Sequence, residues 1–238
     1  MIESNNDIDG NWGRDPSDGD RRAEDGVNGE SNRKYSTGIE PLDRKLEGGL
    51  PYGTIVVLAA SPASQSELLL YEFVAGRKTV YLTTERSEST VREVLETAGT
   101  ESGDLDVRTI GGEEPLADAR RTIDDLTETV ALVIDPTRLF ERQDEPTYRG
   151  FLNELETWTT ETDSVAFLHC LEGRGVTDTR DLTQYRADVI FELATEVTGE
   201  RVENSLAVLK YRGGQAFDDV IKLDLTSEVD IDISRKIA

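Results

Sequence analysis

The stretch from Thr54 to Leu70, TIVVLAASPASQSELLL, constrains the fold of this chain more than any other. Its apolar run predicts a buried strand, the polar residues that follow predict a tight turn at Ser61–Gln65, and the last residues predict the start of a helix. Strand, turn and helix in this order is the arrangement in which α/β nucleotide-binding proteins hold phosphate. We therefore expect the rest of the fold to be organised around this segment.

The turn lacks the residues that a phosphate loop uses. The pattern G-x-x-x-x-G-K-[ST] supplies glycines for a backbone wrap, a lysine for the phosphate oxygens and a hydroxyl for Mg²⁺. In the matching register the chain has Ala60, Gln65, Ser66 and Glu67, so both glycines, the cation and the hydroxyl are lost. The candidate nucleotide-binding positions of this degenerate loop are Ser61, Ala63, Ser64, Gln65, Ser66 and Glu67.

Glu67 adds a direct electrostatic penalty. It stands at the start of the predicted helix, where the positive end of the macrodipole would otherwise favour phosphate. A carboxylate about 4 Å from a phosphate charge costs roughly 4 kcal/mol at an effective dielectric constant near 20. The residues thus predict a strand-to-helix junction that no longer binds ATP, in which Glu67 takes the place of the anion. A rearranged site that uses other cations is the alternative.

The composition is strongly acidic. Of 238 residues, 49 are Asp or Glu and 26 are Lys or Arg, which gives a formal net charge of −23 at pH 7. An acidic, lysine-poor surface is typical of proteins from a salt-rich cytoplasm, because salt screens the self-repulsion of excess charge. The same charge disfavours nucleic-acid binding, since phosphate contacts need a basic surface.

Cysteine content and hydropathy indicate the compartment. The single cysteine, Cys170, cannot form an intrachain disulfide and fits a reducing environment. The sequence shows neither a charged-then-apolar leader nor an apolar run of about 18 residues. We therefore expect a soluble, cytoplasmic protein that has no membrane partner.

Two regions differ in composition. Residues 1–34 are rich in Asn, Asp, Gly, Ser and Arg and poor in apolar residues, which predicts a disordered acidic tail. In residues 35–238 predicted strands alternate with helices, and the last strands follow one another through short turns. This order predicts one α/β domain with a mostly parallel, helix-flanked sheet and a C-terminal antiparallel extension. The predicted strands after the first are Thr79–Thr84, Val107–Ile110, Val130–Asp135, Val165–Cys170, Val189–Leu193, Ser205–Tyr211, Val220–Leu225 and Val229–Ile233.

Four blocks occur in order between Tyr35 and Ile233: TGIEPLDRKLEGGLPYGTIVVLAA, VYLTTE, ALVID and SLAVLKYRGG. Together they resemble the KaiC/RadA branch of the RecA-like ATPases. The first is similar to the segment that leads into that family's phosphate loop, the second to a strand ending in glutamate, the third to the Walker B strand and the fourth to a closing Lys-x-Arg-Gly signature. The resemblance implies a RecA-like domain.

The resemblance also assigns roles to individual residues. Asp135 matches the Walker B carboxylate that orients Mg²⁺. Glu85 matches the catalytic glutamate that polarises the attacking water, although Arg86 follows it where the family often has a second acid. Lys210 and Arg212 match trans-acting fingers that reach the nucleotide of a neighbouring subunit. Each role has a structural alternative: Asp135 as a turn residue before proline, Glu85 as an aid to a helix N-terminus, and Arg212 as a solvated turn cation.

Two further features are interpreted as structural. His169 and Cys170 lie on a predicted apolar strand, and we favour core packing over a zinc site or a cysteine nucleophile because the pair has no second cluster of ligands. The loop Glu172–Arg180 falls where RecA relatives contact DNA. It carries acids beside its arginines and no aromatic residue for base stacking, so we interpret it as a solvated loop.

These residues together predict a catalytically degenerate RecA/KaiC-like protein with a regulatory or scaffolding role, without a metal or other cofactor. As partners we expect another copy, a RecA/KaiC-like ATPase or a signalling protein, with Lys210 and Arg212 at the interface. One alternative is an atypical ATPase that binds Mg-ATP and uses Asp135 and Glu85. The other is a DNA-repair accessory protein.

Overall fold

The computed structural model describes residues 33–98, 104–214, 218–226 and 229–231. Its strands are β1 Lys34–Tyr35, β2 Leu50–Pro51, β3 Thr54–Ala60, β4 Thr79–Thr83, β5 Leu105–Thr109, β6 Ala131–Asp135, β7 Val165–Leu171, β8 Val189–Thr198, β9 Arg201–Tyr211, β10 Ile221–Leu225 and β11 Val229–Ile231. Its helices are α1 Glu40–Lys45, α2 Ser66–Val74, α3 Glu88–Thr97, α4 Pro115–Asp124, α5 Arg138–Glu141, α6 Glu145–Thr162 and α7 Arg180–Arg186.

Nine strands form one sheet in the order β11-β10-β9-β8-β3-β7-β6-β4-β5, and β1 pairs separately with β2. The six strands from β8 to β5 run parallel to one another. The pairs β8–β9, β9–β10 and β10–β11 are antiparallel. The predicted α/β class, with a parallel sheet and a C-terminal antiparallel extension, is confirmed.

Strand β3 lies between β7 and β8, and all seven of its residues are buried. Successive side chains of a strand point to opposite faces, so a strand covered on both sides is a continuous apolar run. Val56 and Leu58 pack in a core on one face, which includes residues of α2. Ile55 and Val57 pack in a second core, which includes residues of α4 and α6.

Local signals explain where α6 begins and ends. Asp144 precedes the helix and its side chain accepts a hydrogen bond from the backbone N–H of Thr147 at 3.1 Å. Pro146 stands in the first turn, where no intrahelical donor is needed. The helix ends at Thr162, and the next residue, Asp163, adopts the left-handed conformation with φ 50°. No described helix is both long enough and apolar enough to span a lipid bilayer.

Two features differ from expectation, and the expected tail is left untested. Strands β8 and β9 are longer than predicted, because Val197 pairs with Val202 in a hairpin whose residues are largely exposed and therefore lack an apolar pattern. The four-residue helix α5 was not predicted. The expected tail, residues 1–34, lies outside the described residues except at its end, where Lys34 belongs to β1, so its disorder stays a prediction.

The Thr-Gly-Ile and Leu-Asp elements of the first block have a structural role. The carboxylate of Asp43 accepts hydrogen bonds from the Ser36 hydroxyl at 2.5 Å, and from the backbone N–H and the hydroxyl of Thr37 at 2.7 Å each. These bonds tie the entry segment to α1. Gly49 follows with φ +123°, and a Cβ there would lie 2.2 Å from the carbonyl oxygen of Tyr35.

We expect Gly49→Ala to lower the free energy of unfolding by at least about 2 kcal/mol, because it adds a collision to the cost of a positive φ. Gly76→Ala is the matched control, since Gly76 has φ +67° and nothing within 4 Å of a built Cβ. The control should lose only about 1 kcal/mol. Urea unfolding in high salt measures the free energy of unfolding of both variants. Equal decreases in the two variants would contradict the close approach of the Tyr35 carbonyl to Gly49.

Candidate functional site

Six polar side chains meet at the edge of the sheet where β4, β6 and β7 end and α2 begins. Asp135 is the last residue of β6, and His169 lies near the end of β7. The carboxyl ends of parallel strands form one edge, which is where open α/β sheets build their sites. We name this group the Asp135 cluster; its members are Ser66, Tyr71, Tyr81, Arg86, Asp135 and His169.

Both carboxylate oxygens of Asp135 are engaged, and the residue is 3% exposed. Oδ1 lies 2.6 Å from Nδ1 of His169. Oδ2 accepts hydrogen bonds from the Tyr81 hydroxyl at 2.5 Å and from Nη2 of Arg86 at 2.6 Å. Burial raises the pKa of Asp135, but the hydrogen bonds and charges of these neighbours outweigh it and hold that pKa at about 2. Asp135 is therefore ionised at neutral pH.

His169 links Asp135 to Ser66. Because an ionised carboxylate only accepts hydrogen bonds, Nδ1 of His169 must carry the proton that faces Asp135. In the neutral ring Nε2 is then an acceptor, so the Ser66 hydroxyl, 2.9 Å away, donates to it. Ser66 and His169 are each 1% exposed. The three side chains thus form one buried chain of hydrogen bonds.

Arg86 supplies the positive charge of the cluster. Its Nη1 donates to the Tyr71 hydroxyl at 2.5 Å, and Nη2 donates to the Tyr81 hydroxyl at 3.0 Å as well as to Asp135. The guanidinium carbon also lies 5.7 Å from the centre of the Tyr71 ring. Burial lowers the pKa of Arg86, but interactions with Tyr81, Asp135 and Tyr71 raise it by more. The pKa therefore lies above its ordinary value.

The Ser61–Gln65 turn is closed by its own hydrogen bonds. The carbonyl oxygen of Ser61 accepts from the backbone N–H of Ser64 at 3.0 Å and from its hydroxyl at 2.6 Å. The Ser61 hydroxyl accepts from the N–H of Ala63 at 3.2 Å. Two donors that a phosphate loop would point at its ligand are therefore directed into the turn. As predicted, Glu67 stands in the first turn of α2; Gln65 precedes the helix without a side-chain cap.

Glu85, the predicted catalytic glutamate, is exposed next to the cluster and makes no hydrogen bond or ion pair with any residue that the structure describes. The alternative role, support of the α3 N-terminus, stays a prediction, although other residues supply the cap and the first-turn acid. Ser87 is the N-cap and accepts from the backbone N–H of Thr90 at 3.2 Å, and Glu88 is the acid of the first turn.

Lys210 and Arg212 bind the C-terminal end of α7 in their own chain. Nζ of Lys210 donates to the carbonyl oxygens of Gln184 at 3.1 Å and Tyr185 at 2.8 Å. Nη2 of Arg212 donates to the Tyr185 carbonyl at 3.1 Å, and Nε lies 3.3 Å from a carboxylate oxygen of Asp188. Partial burial and the charge of Arg212 lower the pKa of Lys210. Cations suit this helix end, and a contact with a neighbouring subunit stays a prediction.

The loop Glu172–Arg180 is anchored, so the interpretation as a wholly solvated loop is wrong at its ends. Arg180 is 3% exposed and donates to both carboxylate oxygens of Glu141, at 2.7 and 2.9 Å. It also donates to Glu172 at 3.1 Å. The buried pair between Arg180 and Glu141 fastens the loop to α5.

Sequence reasoning missed several members of the cluster. His169 is not merely a core residue, whereas Cys170 is: it is completely buried, and burial raises the pKa of its thiol to about 12. Tyr71, Tyr81 and Arg86 were not recognised as partners of Asp135. The available signal was that Arg86 stands where an acid often occurs in the related family. Within the described ranges no three His, Cys, Asp or Glu side chains lie together as a metal site would require.

Comparison with known proteins defines the class. A KaiC-like protein from Pyrococcus horikoshii OT3 superposes with a TM-score of 0.66 over 83% of this chain and 99% of that chain, at 19% sequence identity. The chain therefore has the RecA/KaiC-like fold. A DNA repair protein, RadA of Mycolicibacterium smegmatis, is 36% identical over 72 residues, which are 28% of this chain and 16% of that protein.

A family model identifies the chain more narrowly. The model of the family of unknown function DUF7125 matches residues 34–238. The chain belongs to this family.

The lowered pKa of Asp135 predicts an acid-dependent contribution to stability. A carboxyl whose folded-state pKa lies below its unfolded value stabilises the fold above the unfolded value, and loses that contribution as pH falls through the folded value. The pKa of Asp135 falls from 3.8 to about 2 on folding, which corresponds to a contribution of roughly 2 kcal/mol to the free energy of unfolding. We expect wild type and Asp135→Asn to differ less at pH 2 than at pH 6, by about that amount.

Urea unfolding of both proteins across this pH range measures the difference between their free energies of unfolding. The other acids are present in both proteins, so their contributions cancel in this difference. Asp124→Asn is the control, since Asp124 is an exposed acid at the end of α4. A difference between wild type and Asp135→Asn that does not change with pH would contradict the ionised, hydrogen-bonded state of Asp135.

Proposed function

We propose that this protein is a catalytically degenerate RecA/KaiC-like protein that regulates or scaffolds a partner and does not hydrolyse ATP. The observation that carries the proposal is the contact of Asp135 with Arg86 of its own chain, at 2.6 Å. Asp135 is the carboxylate that would orient Mg²⁺ in a related ATPase. Here a guanidinium takes one of its oxygens and His169 takes the other.

The residues present do not fit Mg-ATP. Mg²⁺ keeps a near-octahedral shell of oxygens and usually shares one or two carboxylates with phosphate. A cation at Asp135 would have to displace Arg86, whose fixed charge would then repel it. The turn adds no compensation, because it lacks lysine, directs two backbone donors inward, and is followed by Glu67 at the helix start.

Side chains of this protein contact Asp135 where a bound ligand would do so in a related ATPase. This arrangement suits a scaffold. A protein that gains stability by binding nucleotide changes state with nucleotide concentration. The Asp135 cluster is complete without a ligand, since Arg86 and His169 satisfy the buried carboxylate. We infer that this edge stays folded without nucleotide and that the domain acts through its surface, in a salt-rich cytoplasm to which its net charge of −23 is suited.

The proposed interface includes Tyr185, Lys210 and Arg212, which we name the α7 surface. Tyr185 is 74% exposed, and Nζ of Lys210 lies 5.8 Å from the centre of its ring. Here an exposed aromatic residue stands beside two cations, and tyrosine and arginine are enriched in protein interfaces. We propose that this surface meets an acidic region of a RecA/KaiC-like ATPase, of a second copy or of a signalling protein.

The first test is isothermal titration with Mg-ATP in high salt. We expect no binding at millimolar nucleotide, because the lost lysine and the added Glu67 together oppose phosphate. Micromolar binding that Asp135→Asn abolishes would overturn the proposal in favour of the atypical ATPase.

The second test concerns the partner. Affinity capture from native cytoplasm, read by mass spectrometry, should recover a RecA/KaiC-like or signalling protein, and Lys210→Ala with Arg212→Ala should reduce its yield at least tenfold. Lys222→Ala is the control, since Lys222 pairs with Glu203 on the same sheet, away from α7. Equal yields from the double variant and the control would contradict a role for the α7 surface.

A further inference from the structure

Three members of the Asp135 cluster have an arrangement that ATP chemistry does not use. We propose that Ser66, His169 and Asp135 form a serine nucleophile with its general base and orienting acid, whose substrate class is small carboxylic esters. This inference goes beyond the proposed function, since it needs neither nucleotide nor partner.

The contacts have the connectivity that serine nucleophiles require. The hydroxyl of Ser66 lies 2.9 Å from Nε2 of His169, and Nδ1 of the same ring lies 2.6 Å from Oδ1 of Asp135. Both distances fall within hydrogen-bond reach for a nucleophile, its base and the group that orients the base. With the proton of Nδ1 directed at Asp135, Nε2 of the neutral ring faces the serine hydroxyl and can take its proton.

The chain order of the three residues is one that serine hydrolases use. Ser66 is the first residue of α2 and follows β3 through a tight turn, so it stands at a junction of strand and helix. In α/β-hydrolases the nucleophile occupies such a turn, and serine, acid and histidine follow in that chain order. Here the order is Ser66, Asp135, His169, although the glycines of the G-x-S-x-G motif are absent.

Asp135, on the other side of the ring, stabilises the imidazolium that His169 becomes when it takes the proton.

The reaction balances with an ester and water alone. Oγ of Ser66 bonds to the carbonyl carbon while its proton passes to His169, and the alcohol leaves with that proton. Water then attacks the acyl-serine, which releases the carboxylic acid and restores the hydroxyl. Since Ser66 is 1% exposed, the adjacent exposed turn must open locally to admit a substrate, which restricts the class to small esters.

Diisopropyl fluorophosphate tests the nucleophile directly, because it bonds to an activated serine with loss of fluoride. We expect native protein to gain one adduct, mapped to Ser66 by peptide mass spectrometry, and Ser66→Ala to gain none. His169→Gln should react at least about 100-fold more slowly, which is the scale of lost general-base catalysis. Ser89→Ala, which removes an exposed serine of α3, should react like wild type.

Circular dichroism melting of each variant separates loss of reactivity from loss of fold. If His169→Gln does not fold, the mapped site in wild type and the comparison with Ser66→Ala decide the matter. Folded wild type without an adduct at Ser66 would overturn the inference, as would equal labelling of wild type after unfolding in urea. Titration with Mg-ATP tests the proposed function, and labelling of Ser66 tests the serine nucleophile. Because the two measurements are independent, either hypothesis can fail while the other holds.

Discussion

The buried carboxylate of Asp135 is the constraint on which this edge of the sheet depends. An ionised acid in a protein interior costs several kcal/mol unless charge and hydrogen bonds compensate it. The chain compensates it with His169 on one oxygen, and with Tyr81 and Arg86 on the other. In a nucleotide-dependent relative a metal ion and phosphate would share this task. Here the protein completes the site with its own side chains, which is why we infer a scaffold rather than an ATPase.

The same physical rule governs a second buried acid on the segment that follows β6. Glu141 is 1% exposed, and Arg180, from the far end of the loop after β7, supplies its counter-charge. Each acid near the end of β6 is thus paired with a cation from a neighbouring connection. Removing one partner of such a pair costs more than the pair contributes, because it leaves an unpaired buried charge. The two connections are therefore fixed in place by electrostatics as well as by packing.

Much of the fold could be predicted because its signals are local. The apolar run of β3, the turn at Ser61–Gln65 and the start of α2 appear where the residues placed them. The predictions were wrong where backbone pairing or an ion pair, rather than burial of apolar side chains, holds a segment in place. The outer half of the β8–β9 hairpin is held by backbone hydrogen bonds between exposed residues, so it carries no apolar period. The loop Glu172–Arg180 looks solvated from its composition, yet its last residue is buried by the ion pair with Glu141.

The sequence by itself determined the class of fold, and it placed Ser66 and Glu67 where the phosphate-loop pattern has lysine and a hydroxyl residue. It could not show which side chains meet Asp135. Ser66 and His169 are 103 residues apart, and Asp135 and His169 are 34 apart. They meet only because β7 lies between β3 and β6 in the sheet. Hydrophobic periodicity reports burial along one element, whereas strand order and hydrogen-bond geometry arise from contacts between distant elements, and only the tertiary structure decides them.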